Sequence, residues 1–298
     1  MYLAKGGESQ GTRISWNDML ERAAAADVVI IGENHGHPVG LPWAATLFDD
    51  LLKREPKTGL ALEFFERDEQ SRLDDYLLGL SEEKVFLQRT GRGGGSGGNY
   101  PPGHRRMVEA AKAASRPVIA ANTPRAIIRY LRGKTYEELT ALTPEQQRLF
   151  QVPLAQAEGR YRADFDAVMT AMREATTHGA KPAESAAAAK TEAAASKPQT
   201  AEPKAEFDGR FRAHQLWDWT MADSVVKATA ASKPVVLVVG RFHSDFFGGT
   251  AQAISKLKPG TSVVIISVVD RAADALQSED HDRADFVVYV GPGPSEEP

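Results

Sequence analysis

The chain contains no cysteine, which excludes disulfides, thiolate nucleophiles and thiolate metal ligands. It has no apolar run approaching the ~20 residues of a membrane span. Its start, Met1 to Thr12, lacks the basic-then-apolar pattern of a signal peptide. A basic stripe is also missing. Lys and Arg number 36 against 40 Asp and Glu, a formal net charge of -4 with intermixed signs. That balance argues against nucleic acid as a partner, because binding it requires neutralising phosphates. Two segments lack core-forming residues. Gly91 to Gly98 is a glycine tract and reads as a mobile loop. Gly179 to Glu206 has no aromatic or large aliphatic residue until Phe207, so it cannot bury enough apolar surface to offset ordering entropy. It reads as a disordered insertion.

What is present is ordinary for a globular chain: 298 residues, 42% hydrophobic and 26% charged, enough for a sizeable core. Asp27 to Ile31 is a short apolar run rich in β-branched residues, and Thr58 to Glu63, Arg116 to Asn122, Lys233 to Gly240 and Thr261 to Val269 read alike. Runs apolar on both faces suit buried parallel strands. Helical patterns lie between them. Ser15 is placed to cap Trp16 to Ala26, with Asp18 in the first turn. Pro42 to Lys53 shows an apolar stripe through Trp43, Leu47 and Leu51. Thr143-Pro144-Glu145-Gln146 is a capping box opening a helix toward Phe150, and Arg210 to Ala231 carries Phe211, Leu216, Trp219 and Val226 at helical spacing. The fold expected is α/β, a mostly parallel open sheet flanked by helices. Because the pattern resumes after the insertion, a single domain is expected over 13–292 with 179–206 inserted within it.

The glycine tract contains two motif matches without their context. Gly93 to Gly98 fits Gly-x-Gly-x-x-Gly and Gly94 to Gly98 fits Gly-x-Ser-x-Gly. Neither follows a strand or opens a helix, since Leu87 to Thr90 precedes and Tyr100-Pro-Pro follows, so neither counts as a dinucleotide loop or a nucleophile elbow.

In an open parallel sheet, ligands bind beyond the carboxyl ends of the strands. The first strand is followed by Gly32-Glu33-Asn34-His35-Gly36-His37, the second ends in Leu62-Glu63-Phe64, and the third in Asn122-Thr123-Pro124-Arg125. The strand after the insertion runs into Gly240-Arg241-Phe242-His243-Ser244-Asp245. Four strand ends thus deliver Glu33, His35, Glu63, Asn122, Arg125, His243 and Asp245 to one edge. Two imidazoles with two or three carboxylates suit a divalent cation held by nitrogen and oxygen. The bland alternative is that His and Asn after a strand merely cap the next helix. A second Gly-x-x-His and a Glu at a third strand end weigh against that for His35 and His243. It stands for His37, which precedes Pro38 and can simply face solvent. Trp43, Trp217 and Trp219 read as core.

These residues resemble a known family. The Gly32-Glu-Asn-His35 start, Ala61-Leu-Glu-Phe64, Val118-Ile-Ala-Ala-Asn122-Thr-Pro-Arg125, Gln215-Leu-Trp-Asp218 with Met221-Ala222, and Gly240-Arg-Phe-His243 look like the ChaN-like haem-binding domain. That domain falls in the Tiki/TraB superfamily, which includes erythromycin-esterase-like proteins. The resemblance covers about Ser15 to Asp270 outside the insertion. Its ChaN branch implies a haem-binding, iron-uptake protein, periplasmic or lipid-anchored. This chain departs from the lipoprotein pattern, having neither an anchor cysteine nor a signal segment, so membrane contact is expected only through an anchor outside these residues. The Tiki branch implies a metal-dependent hydrolase. Carried over by position, His35, His243 and Glu63 would hold zinc or manganese. Glu33 or Glu63 would act as general base, and Arg125 or Arg241 would steady an oxyanion. A haem carrier needs one or two axial His or Tyr ligands and cations for the propionates. Tyr100 and His104 beside Arg105 and Arg106, expected in the glycine-flanked loop, form such a cluster, with Arg241 a further cation. The resemblance is compatible with a homodimer, and a small-molecule cofactor or substrate is the expected partner. A binding module with a decayed site is the third reading, because fold does not imply function.

Overall fold

A computed structural model of the chain describes residues 1–93, 100–177 and 205–293. Most of the glycine tract and nearly all of the insertion read from the sequence lie outside the described residues. The strands are β1 (Tyr2–Leu3), β2 (Val28–Glu33), β3 (Gly59–Glu66), β4 (Val118–Asn122), β5 (Val235–Gly240), β6 (Val263–Val269) and β7 (Phe286–Tyr289). They form one open sheet in the order β1-β7-β6-β2-β5-β3-β4. Only β1 is antiparallel to its neighbour. β5, which follows the insertion in sequence, lies between β2 and β3, and β4 pairs with β3, so the four chemistry-bearing strand ends are consecutive along the sheet.

Each strand alternates its side chains between two apolar layers, as a sheet covered on both faces requires. Val29, Ile31, Leu60, Leu62, Val236 and Val238 pack with Leu47, Phe48 and Leu51 of the Gly40–Arg54 helix and Met107 of the Pro102–Ala113 helix. Val28, Ile30, Ala61 and Leu237 face the other way, onto Trp219, Met221 and Val225 of the Asp208–Ala228 helix and Ile254 of the Gly249–Leu257 helix.

Local chemistry sets the element ends. Ser15 caps the Trp16–Ala25 helix in a full capping box with Asp18. The capping box at Thr143 also forms, but its helix is a single turn, Pro144–Gln147, rather than one reaching Phe150. Of the three tryptophans read as core, Trp219 is buried, while Trp43 and Trp217 are only partly so. β1 and β7 have no counterpart in the sequence reading. Two and four residues long, they are too short to show a period.

One close approach orders the strand ends. A Cβ on Gly32 would stand 2.5 Å from Ser244 Oγ and 3.1 Å from Arg241 Cα, inside normal contact. Gly32→Ala is therefore expected to lower stability by about 1–3 kcal/mol, the cost of overpacking a filled site. Gly209→Ala, at a helical glycine with nothing within 4 Å of the new methyl, should be neutral or stabilising by up to about 1 kcal/mol. Urea midpoints of the two variants test this, and equal shifts would contradict it.

Candidate functional site

The two Gly-x-x-His turns interlock. Glu33 at the end of β2 is in register with Gly240 at the end of β5. The chain leaving β5 lays Arg241 and Ser244 over Gly32, and the chain leaving β2 lays His35 over Gly240. A Cβ on Gly240 would lie 3.0 Å from His35 Nε2 and 3.6 Å from Glu63 Oε2. Asn34 Oδ1 accepts a hydrogen bond from Arg241 Nε at 2.8 Å, which ties the turns side by side. A side chain at Gly32 would force Ser244 and the Arg241 backbone to shift, whereas one at Gly240 would make the exposed His35 ring give way.

The two imidazoles meet different environments. His35 has a side chain 67% exposed, yet its Nδ1 lies 2.6 Å from a carboxylate oxygen of Glu33, which is 1% exposed. His243 is buried between two acids. Its Nδ1 lies 2.8 Å from Asp218 Oδ1, and its Nε2 lies 3.6 Å from Glu63 Oε1. Glu63 Oε2 accepts the Gly240 N–H at 2.7 Å, which places this carboxylate between the two turns. Burial alone would lower the His243 pKa, but Asp218 and Glu63 outweigh it, and the pKa is raised. Asp218 is oriented by two hydroxyls: Tyr161 donates to Oδ2 at 2.6 Å and Thr250 donates to Oδ1 at 3.0 Å. The His214 ring stacks on His243 with centroids 4.1 Å apart, and burial followed by repulsion from His243 drives its pKa well down. Glu63, His243 and Asp218 thus lie in a line, His243 hydrogen-bonded to Asp218 and 3.6 Å from Glu63.

Several residues read from the sequence are engaged elsewhere. Arg125 ion-pairs with Glu66 and its side chain is 77% exposed. Asn122 accepts the N–H of Thr123. Asp245 receives Ser267 Oγ at 2.7 Å and pairs with Arg283, so it holds the loop rather than a ligand. Arg241 is buried, with Asp245 at 3.5 Å and Asp270 at 3.9 Å besides Asn34. His37 does not face solvent. It is buried, its Nδ1 accepts the N–H groups of Val39 and Gly40, and its Nε2 meets the Gly291 carbonyl. It caps a helix start.

The cluster of Tyr100, His104, Arg105 and Arg106 is likewise not a loop. Pro102 opens a helix through Ala113, and helical geometry splits the group. Tyr100 and His104 turn into an aromatic layer against Phe64, while Arg105 pairs with Glu83 and Arg106 with Asp49 on the outside.

Among the described residues, the His and carboxylate donor atoms that all lie within 4.8 Å of one another belong to His214, Asp218 and His243. The set of His35, Glu63 and His243 is not drawn together in that way. His214 escapes a reading of the sequence because Trp217 and Trp219 make its helix look like core. Its signal is the i, i+4 spacing to Asp218, which puts both on one helix face.

The family described as haem-binding uptake, Tiki superfamily, ChaN, matches residues 19–254. A solved structure of ChaN from Campylobacter jejuni with cofacial haem binding is 17% identical. It covers 94% of each chain at a TM-score of 0.57, a likeness of fold. A Bacillus cereus protein is 13% identical, covering 96% of this chain and 76% of its own at a TM-score of 0.48. A mutant of the erythromycin esterase EreC in its open conformation is 16% identical over 85% and 71% at 0.43. Among curated proteins there is no match. No helix among the described residues is long and apolar enough to cross a membrane.

The His104 environment carries a pH dependence. Burial lowers its pKa from 6.5 to about 4, with a smaller push from His35. Above pH 6.5 neither folded nor unfolded chain protonates it, and its contribution is complete. Between 6.5 and 4 only the unfolded chain takes the proton, so stability falls with pH, on the order of 3 kcal/mol in all. Below that range the loss levels off. His104→Phe, which keeps a ring against Phe64, should flatten the fall in denaturation midpoints taken from pH 7 to 4, leaving the part that buried His214 adds over the same range. An unchanged slope would refute the assignment.

Proposed function

The chain belongs to the ChaN family of haem-binding uptake proteins in the Tiki superfamily, and from that membership we propose that it binds haem at the strand-end crevice with His35 as an axial ligand. A role in haem or iron uptake is part of the same reading. The observation that carries the ligand assignment is an exposed imidazole fixed from behind by a buried carboxylate. A planar macrocycle reaches a protein ligand only from the solvent side. His104, His243 and Tyr100 are all buried and would need the packed layers to open.

The residues present fit the group. Donation of the Nδ1 proton to Glu33 puts the ring's lone pair on Nε2 and raises its basicity, as carboxylate partners do for metal-bound imidazoles. Val39, four residues on, is half exposed and offers apolar contact. Arg125, at the carboxyl end of β4 and exposed, can meet a propionate by exchanging its ion pair with Glu66. Bound haem would supply an iron whose redox and ligand chemistry is set by that axial nitrogen and its second partner. Glycine at position 240 gives the His35 ring its place, so a side chain there would displace the ring.

Hemin titration of the purified chain, followed through the Soret band, tests the reading. A saturable shift is expected for the native sequence. His35→Ala should abolish it, and Glu33→Gln should weaken it roughly 10-fold or more, the usual cost of losing an outer partner. The melting temperature of His35→Ala should stay close to the parent, since the side chain is mostly outside. A folded His35→Ala variant that binds hemin as tightly as the parent would exclude this ligand.

A further inference from the structure

We propose that His214, Asp218 and His243 form a buried site for a divalent ion of the zinc class, separate from the exposed His35 and independent of the haem reading. The three residues are each at most 7% exposed, and one donor atom from each lies within 4.8 Å of the other two. Two imidazoles and a carboxylate, with no thiolate in the chain, are donors that suit Zn²⁺ or Co²⁺ in compact four-coordinate geometry. The local scaffold is rigid. His214 and Asp218 sit four apart on the long Asp208–Ala228 helix, and the turn after β5 carries His243 onto them.

The second observation is an orphan. His214 Nε2 is buried with no hydrogen-bond partner, which costs about 1–3 kcal/mol if nothing answers it. A neutral imidazole with an unused lone pair beside a carboxylate and a second imidazole is a metal ligand awaiting a cation. Neighbouring donors around tetrahedral zinc stand roughly 3.4 Å apart; here His243 Nδ1 and Asp218 Oδ1 are 2.8 Å apart and all three donors lie within 4.8 Å. Rotation of His214, whose Nε2 has no bond to give up, narrows the gap.

The surroundings supply what such a site needs beyond its ligands. Tyr161 and Thr250 orient the Asp218 carboxylate through their hydroxyls. With His243 Nδ1 on the ion, its Nε2 proton faces Glu63 Oε1, the carboxylate–histidine–metal arrangement that strengthens an imidazole ligand. A cavity of about 10 Å³ touches Asp218, Tyr161 and Gln215 and is bordered by Gln252 and Lys256. That is room for about one water beside Asp218, the one of the three ligands that lines the cavity. One carboxylate and two neutral imidazoles leave a net positive site, and Glu63 next to His243 offsets it.

The experiment uses the full chain, stripped with chelator, loaded with Zn²⁺ and desalted before elemental analysis, with a parallel Co²⁺ titration read by visible absorption. Retention of about one zinc per chain and the intense visible bands of tetrahedral cobalt are expected. His214→Leu and Asp218→Asn should each weaken binding at least about 100-fold, at the upper end of what ligand-shell losses cost, while His35→Ala should retain the metal. If His214→Leu does not fold by circular dichroism, His214→Gln replaces it. A folded native chain that retains no zinc, or folded His214 and Asp218 variants that retain it fully, would overturn the site. Loss of zinc in His35→Ala alone would move the metal to the exposed crevice and overturn it equally.

Discussion

The contact on which the crevice depends is the mutual approach of two backbone turns across β2 and β5. Parallel register puts the last residue of one strand opposite the last of the other, so two similar turns leaving them compete for the same space. Glycine at 32 and 240 resolves the competition, because each turn then rests where the other's side chain would have been. The bond from Arg241 to Asn34 fixes their relative position. Every other group at this edge is placed by reference to that pair: Glu63 bonds the Gly240 amide, and His243 hangs from the second turn into the space beneath.

From this follows a chain of acids and bases running over the edge of the sheet. Glu33 continues the alternation of Val29 and Ile31, which face the Gly40–Arg54 helix layer. Ala61 faces the opposite layer, and Glu63 continues its alternation toward the Asp208–Ala228 helix. His35 and Glu63 meet at Gly240, between the two faces. The sheet therefore separates a solvent-facing imidazole from a buried one while leaving an ionisable group at each step. Buried acids and bases at such density cost desolvation energy unless they are paired, and here nearly every carboxylate has a named donor.

What can be read from the sequence divides along the range of the interactions involved. Apolar runs announce β2 to β6 because burial on both faces needs only local composition, and their final residues follow from chain order. Glu33, His35, Glu63 and His243 are found in this way. Arg105 and Arg106 do not sit in a loop because Pro102 opens a helix there, and helical pitch directs neighbours a third of a turn apart. Arg125 and Asp245 lie near the expected edge, but their partners, Glu66 and Arg283, are chosen by tertiary packing that no local pattern encodes. His214 and Asp218 are hidden for the opposite reason. Their helix is buried on most sides, polar residues included, and a polar residue inside such a helix shows its purpose only once the facing turn is known.

The two imidazoles illustrate how one motif yields two chemistries. Both belong to a Gly-x-x-His turn, and both give one ring nitrogen to a carboxylate that is itself nearly inaccessible. That partner fixes the ring and the tautomer in each case. What differs is the cover. The His35 side chain is largely exposed. His243 is buried against the Asp208–Ala228 helix, stacked on its His214. A buried imidazole next to two acids is drawn toward its charged form, and its stacked neighbour is pushed toward the neutral form. The pair therefore has one positive charge to share at most. At the proposed site a cation would take the place of that proton, held by the same packing that sets the two rings against each other.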